Sequence, residues 1–81
     1  MKAVFSDRAI NSLGGAAPSV RRAFEKQLRL LLENLLHPSL RARKYDESKD
    51  VWQARVNRNW RFYFKIEADS YRIEDVIPHP K

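Results

Sequence analysis

Residues 51–66 read VWQARVNRNWRFYFKI, and their alternation decides the fold. Successive side chains on a β-strand point to opposite faces. In the strand expected over residues 51–56, Trp52, Ala54 and Val56 share one face, and Gln53 and Arg55 share the other. In the strand expected over residues 60–66, Trp60, Phe62, Phe64 and Ile66 share a face, opposite Arg61, Tyr63 and Lys65. A slip of one residue would expose every aromatic, so both apolar faces must meet one core. A two-residue loop would set Arg55 against Trp60 and mix the faces. A three-residue loop, Asn57-Arg58-Asn59, sets Val56 against Trp60 and keeps them apart, with Asn59 expected in the left-handed conformation.

That register has a chemical consequence. Arg55 lies opposite Arg61 and Gln53 opposite Tyr63, on the face turned away from the core, with Lys65 further along. Like charges directly opposed cost about a few tenths of a kcal/mol. An anion held between them removes the cost, and a guanidinium grips a phosphate through two N–H donors. Tyr63 adds an aromatic face on which a base can stack. The plain alternative is that both arginines splay into water.

Further along the chain, residues 71–77 alternate less regularly but predict a third strand, joined to the second by a turn at Glu67-Ala68-Asp69-Ser70. Asp75 falls on the aromatic face unless a bulge intervenes, so parity does not place His79 beside Arg61. On the N-terminal side, residues 39–50 read as an irregular connection. Before it, Val20, Ala23, Phe24, Leu28, Leu31, Leu32 and Leu35 recur at helical spacing, in a helix that Pro18 opens and His37-Pro38 ends after Leu36. Leu30 and Leu36 widen its stripe; they face either a partner's helix or the first helix. That first helix is capped by Ser6, carries Ala9, Ile10 and Leu13 on one face, and stops at Gly14-Gly15. Lys2–Phe5 reads as a strand. Two helices joined by a short glycine turn also suit a helix-turn-helix reader. The second helix is too apolar to lie in a DNA groove, so a hairpin packed on a sheet is the better reading. The expected fold is α+β: an N-terminal strand, a two-helix hairpin and a three-stranded antiparallel sheet, with the helices on one sheet face.

The chain has 81 residues, which predicts a single domain over 1–81. A doubly wound nucleotide-binding fold does not fit, because each βαβ unit needs about 30 residues. No apolar run approaches the about 18–20 residues of a membrane span, and the opening apolar run meets Asp7 and Arg8 too soon for a signal peptide. With no cysteine there is neither a disulfide framework nor a cysteine zinc site. The expected setting is cytoplasmic. The formal net charge is +6, and it is concentrated: residues 41–65 hold eight basic and three acidic groups, whereas 66–81 hold two basic and four acidic. Such a field points to a polyanion, most simply nucleic acid. Arg41, Arg43 and Lys44 form a second basic cluster within it.

These residues resemble the RelE/ParE toxin superfamily of bacterial toxin–antitoxin systems. FSDRAINSLGGAAPSVRRAFEKQLRLLLENLLHPSLRARKYD (residues 5–46) looks like the family's opening, VWQARVNRNWRFYFKI like its central hairpin, with the aromatic-Arg pair Trp60-Arg61, and VIPHPK (76–81) like the end of its last strand. The resemblance spans essentially the whole chain. It implies a toxin held by a cognate antitoxin in a hetero-oligomer and, in the RelE branch, cleavage of mRNA on the ribosome without a metal or other cofactor and without a membrane. Arg61 matches the family's near-standard arginine, Arg55 a basic position on the preceding strand, and His79 a C-terminal histidine of several branches. Gln53 stands where some members carry a catalytic Lys or Glu. The Arg and Tyr of the RelE C-terminal extension have no counterpart before Lys81.

Cleavage by this route needs a base for the ribose 2′-hydroxyl, cations for the phosphorane charge and an acid for the leaving 5′-oxygen. Arg55 and Arg61 are the expected phosphate ligands, His79 the acid or base, since imidazole titrates near neutrality, and Tyr63 a proton donor or stacking surface. Arg41, Arg43, Lys44, Gln53, Arg58, Lys65 and Lys81 are the expected RNA or ribosome contacts. Three alternatives remain open: a ParE-like inhibitor of DNA gyrase, a non-catalytic nucleic-acid-binding domain, and an inactive relative of the toxins.

Overall fold

In the computed structural model, which describes residues 1–79, one five-stranded mixed sheet carries two helices on one face. The chain runs β1 (Lys2–Phe5), α1 (Asp7–Gly14), α2 (Pro18–Glu33), a 3₁₀ turn (Pro38–Leu40), β2 (Arg43–Asp46), β3 (Val51–Arg55), β4 (Trp60–Glu67) and β5 (Ser70–Pro78). The strand order is β1-β5-β4-β3-β2, with β1 parallel to β5 and every other pair antiparallel.

The expected three-stranded antiparallel sheet is therefore the centre of a larger one. Lys2–Phe5 joins it as a parallel edge strand against Ser70–Ile73, a pairing across almost the whole chain that no local pattern reveals. At the other edge, Arg43–Asp46 pairs with β3 where an irregular connection was expected. That strand is four residues long and is bulged between Lys44 and Asp46, too short for alternation to register.

The central register follows the parity expectation. Arg55 pairs with Arg61, Gln53 with Tyr63, and Ala54 with Phe62. The Val56 amide donates to the Trp60 carbonyl at 3.0 Å, so Asn57-Arg58-Asn59 is the loop. Its closure differs from the expectation. Asn59 is not left-handed; instead the Asn57 side-chain oxygen accepts from the Asn59 and Trp60 amides, both at 2.9 Å. An Asn side chain that mimics a backbone turn removes the need for positive φ. At the β4–β5 turn it is Ala68 that takes positive φ, at 50°.

Ser6 caps α1 as expected, accepting from the Ala9 amide at 3.0 Å, and its hydroxyl donates to the Glu74 carbonyl at 2.7 Å. α2 stops at Glu33, three residues short of the expected Leu36. Asn34 there is extended, and its side-chain oxygen accepts from the Leu36 amide at 3.0 Å; an Asn competing in this way ends helices. Leu36 is left 81% exposed, whereas Leu30 packs against the core.

The core lies between the helices and one sheet face. Phe24 of α2 meets Phe62 edge-on, with ring centroids 5.2 Å apart, and Phe62 leads on to Phe64 and Tyr71. Ala54, Val56, Ile73 and Val76 fill in around them. Ile10 and Leu32, both assigned to apolar stripes, are exposed. Gln27 is buried in their stead, its amide donating to the carbonyls of Ser39 at 3.0 Å and Arg55 at 2.8 Å.

Candidate functional site

The face of the sheet away from the helices is split by charge. Towards the β4–β5 turn it is balanced: Lys65 lies 3.9 Å from Glu74, and Arg72 reaches both Glu67 and Glu74. At the other end, Arg41, Arg43, Gln53, Ala54, Arg55, Arg61 and His79 line a cleft of about 260 Å³. No carboxylate lines it, and none of its four arginines has an acidic partner among the described residues.

Each side chain arrives there for a local reason. Arg55 and Arg61 face each other across the β3–β4 ladder. Arg61 is anchored by its Nη1, which donates to the carbonyls of Asn57 at 2.8 Å and Trp60 at 2.9 Å. Its Nε and Nη2 make no protein hydrogen bond among the described residues. Burial, and then the neighbouring charges of Arg55, Arg41 and Arg43, hold Arg61 below the ordinary arginine value. Arg41 sits just past the 3₁₀ turn with φ 48°, in the left-handed region that non-glycine residues seldom occupy. Arg43 comes in on β2, opposite Gln53.

His79 reaches the cleft through a bulge. β4 and β5 pair in register from Glu67↔Ser70 to Phe64↔Ile73, then shift by one, so that Tyr63 pairs with Asp75 and Arg61 with Ile77. Glu74 is the extra residue. A bulge reverses the alternation that follows it, so Ile77 and then His79 take the Arg61 face, where an unbroken strand would have turned them to the core. The His79 amide extends the ladder, donating to the Asn59 carbonyl at 2.7 Å. At the bulge the half-buried Asp75 carboxylate accepts from the Ser12 hydroxyl of α1 at 2.7 Å and from the Val76 amide at 2.9 Å, so that it is satisfied within the protein.

Beside the cleft, Gln53 is only 6% exposed and bridges two groups. Its Oε1 accepts from Arg43 Nε at 3.4 Å, and its Nε2 donates to the Tyr63 hydroxyl oxygen at 3.0 Å. The Tyr63 oxygen thus acts as acceptor, and its own proton remains available to a ligand. Tyr45 packs edge-on against Tyr63 at 4.9 Å.

The structure therefore brings together Arg55, Arg61, His79, Arg41 and Arg43, with Gln53 and Tyr63 adjoining. Arg58 lies at the neighbouring groove formed with α2. Two expected contacts lie elsewhere. Lys44 is ion-paired with Asp50, whose hydrogen bond raises the lysine above its usual value, and lies over the Trp52 ring at 5.4 Å. Lys65 belongs to the balanced end. Lys81 lies outside the described residues. Tyr45 was missed by the sequence reading; its alternation with Arg43 in a four-residue strand was the only signal. No group of three His, Asp or Glu side chains able to hold a metal occurs among the described residues, and no helix among them is long and apolar enough to cross a membrane.

No family model matches the chain, and no curated protein matches it by sequence. Solved structures do match. The YoeB/ParE toxin from Agrobacterium tumefaciens superposes with a TM-score of 0.82 at 10% identity, covering 99% of this chain and 100% of that one. YafQ from E. coli gives 0.78 at 17% identity, covering 95% and 91%. The toxin of the RelB–RelE antitoxin–toxin complex from Methanococcus jannaschii gives 0.75 at 13% identity, covering 93% and 88%. At these identities it is the arrangement of strands and helices that is shared, end to end, and this chain has the fold of the RelE/ParE-like toxins.

Proposed function

We propose that this chain is the toxin of a type II toxin–antitoxin pair, and that it is a metal-independent endoribonuclease acting on mRNA at the ribosome. The observation that carries the reading is the cleft itself: four arginines and a histidine converge without a carboxylate on the sheet face that the helices leave open. A structural sheet gains nothing from that repulsion, whereas a phosphodiester neutralises it.

In this reading the ribose 2′-oxygen attacks the adjacent phosphorus and the bond to the 5′-oxygen breaks, leaving a 2′,3′-cyclic phosphate and a 5′-hydroxyl. Arg61, held rigidly by its two carbonyl contacts, and Arg55 across the ladder bind the non-bridging oxygens as negative charge develops. His79 takes the 2′-hydroxyl proton. Tyr63, whose oxygen already accepts from Gln53, gives its proton to the leaving oxygen or stacks on a flanking base. Arg41, Arg43 and Arg58 contact RNA outside the reacting phosphate. The toxins YafQ and RelE have been solved in complex with the antitoxins DinJ and RelB, and a cognate antitoxin is the partner proposed here, with Leu36 an apolar contact it can cover.

Induced expression of the chain alone in a bacterium, with growth and primer extension on a reporter mRNA followed together, tests the reading. Growth arrest with cuts at in-frame codons is expected. Arg61→Ala is expected to reduce cleavage by about 10²–10³-fold, as when one donor to a developing oxyanion is removed. Arrest with intact mRNA would replace the nuclease by a ParE-like gyrase poison. Absence of arrest would leave a binding module or an inactive relative.

A further inference from the structure

A second cavity, of about 600 Å³, adjoins the cleft. Lys26 of α2, the 3₁₀ turn at Pro38 and Ser39, and Asn57 and Arg58 of the β3–β4 loop form its walls, and Arg41 and Arg55 line both cavities. The two spaces therefore share those two arginines as common walls. Like the cleft, the groove has no carboxylate in its lining, and it adds Lys26 and Arg58 to the shared arginines. Neither Lys26 nor Arg58 has an acidic partner among the described residues.

The walls are built rather than loose. Gln27, 4% exposed, ties α2 to the Ser39 and Arg55 carbonyls, so that three elements of the groove share one buried amide. The left-handed turn at Arg41 sets that residue at the junction of the two cavities. A volume of about 600 Å³ lies in the range of ligand clefts, about 300–1,000 Å³. The groove is lined by polar and cationic groups with a single proline and small aliphatic side chains, which suits a sugar-phosphate backbone better than an apolar ligand.

We infer that this groove is a second phosphate subsite, which holds the single-stranded RNA where it continues beyond the reacting phosphate, with Lys26 and Arg58 as its ligands. The inference rests on the nuclease reading of the cleft. It assigns the strand a path: over the open sheet face, past Arg55 and Arg41, and round the sheet end to α2.

Binding of fluorescently labelled RNA dinucleotides and octanucleotides, measured by anisotropy over a salt series, tests it. The octanucleotide is expected to bind more tightly than the dinucleotide. Lys26→Gln is expected to weaken the octanucleotide about threefold at 150–200 mM salt and to lower its log–log salt slope by about 0.7, the share of one phosphate on a single strand. Lys26→Glu is expected to weaken it about tenfold. Neither substitution is expected to change dinucleotide binding. Equal loss on both lengths, or no loss on either, overturns the subsite and leaves Lys26 as a diffuse surface charge. Arg61→Ala separates the two readings: if it weakens neither RNA, the cleft does not bind phosphate, whatever Lys26 does.

Discussion

Two ionisable residues are shifted downward with opposite consequences for their charge. Arg61 has one nitrogen fixed on backbone carbonyls and is pushed below its ordinary value by burial and by the arginines around it. An arginine stays charged through such a shift, so the repulsion is held ready for an anion. Asp46 is likewise drawn down, below the usual carboxylate value of 3.8, chiefly by the Ser48 hydroxyl and then by the Lys49 amide, but there the shift favours the charged form. Because its folded value is depressed, its support of the 46–49 turn is full above the unfolded value and fades as pH falls through the lower, folded one. Hydrogen-exchange protection of the Ser48 and Lys49 amides is therefore expected to hold at neutral pH and to drop as pH is lowered through and below the usual carboxylate value of 3.8. Constant protection across that range would remove Asp46 from the turn's support.

At the scale of the elements, one inserted residue and one buried amide position the site. Glu74 reverses the parity of β5 and so delivers His79 to the cleft. Gln27 joins α2 to the 3₁₀ turn and to the end of β3. Gln27→Leu keeps the packing volume and leaves two partly buried carbonyls without this donor, an expected cost of about 1–3 kcal/mol. Thermal unfolding should register about 4–8 °C for each kcal/mol lost. The same variant is expected to loosen the Arg55 end of β3, seen as faster amide exchange at Val56 and Asn57. A Tm within error of the parent would show that water satisfies both carbonyls.

Over the whole molecule, a thin core supports an uncompensated charge. For 81 residues the total stability is of order 4–12 kcal/mol, and Phe62, fully buried between Phe24 and Phe64, carries a large part of it. Phe62→Ala is expected to cost about 3–5 kcal/mol; urea unfolding followed by tryptophan fluorescence measures it. A loss below about 1 kcal/mol would mean that the core collapses around the gap.

The central hairpin was legible in the residues themselves. Strand parity has a period of two, and an apolar face tolerates no slip, so the pairing of Arg55 with Arg61 and of Gln53 with Tyr63 follows from local order alone. The cap at Ser6 and the start of α2 at Pro18 are local for the same reason. What only the tertiary structure decided rests on contacts between residues far apart in the chain. β1 pairs with β5 across nearly seventy residues. Arg43–Asp46 becomes a strand because β3 offers it an edge. Glu74 bulges where the Ser6 hydroxyl meets its carbonyl, and the bulge decides which face His79 takes. Gln27 is buried because two carbonyls from distant elements converge on it. A sequence displays its own periodicity, but not the distant partner that turns a short polar segment into a strand or an extra residue into a change of face.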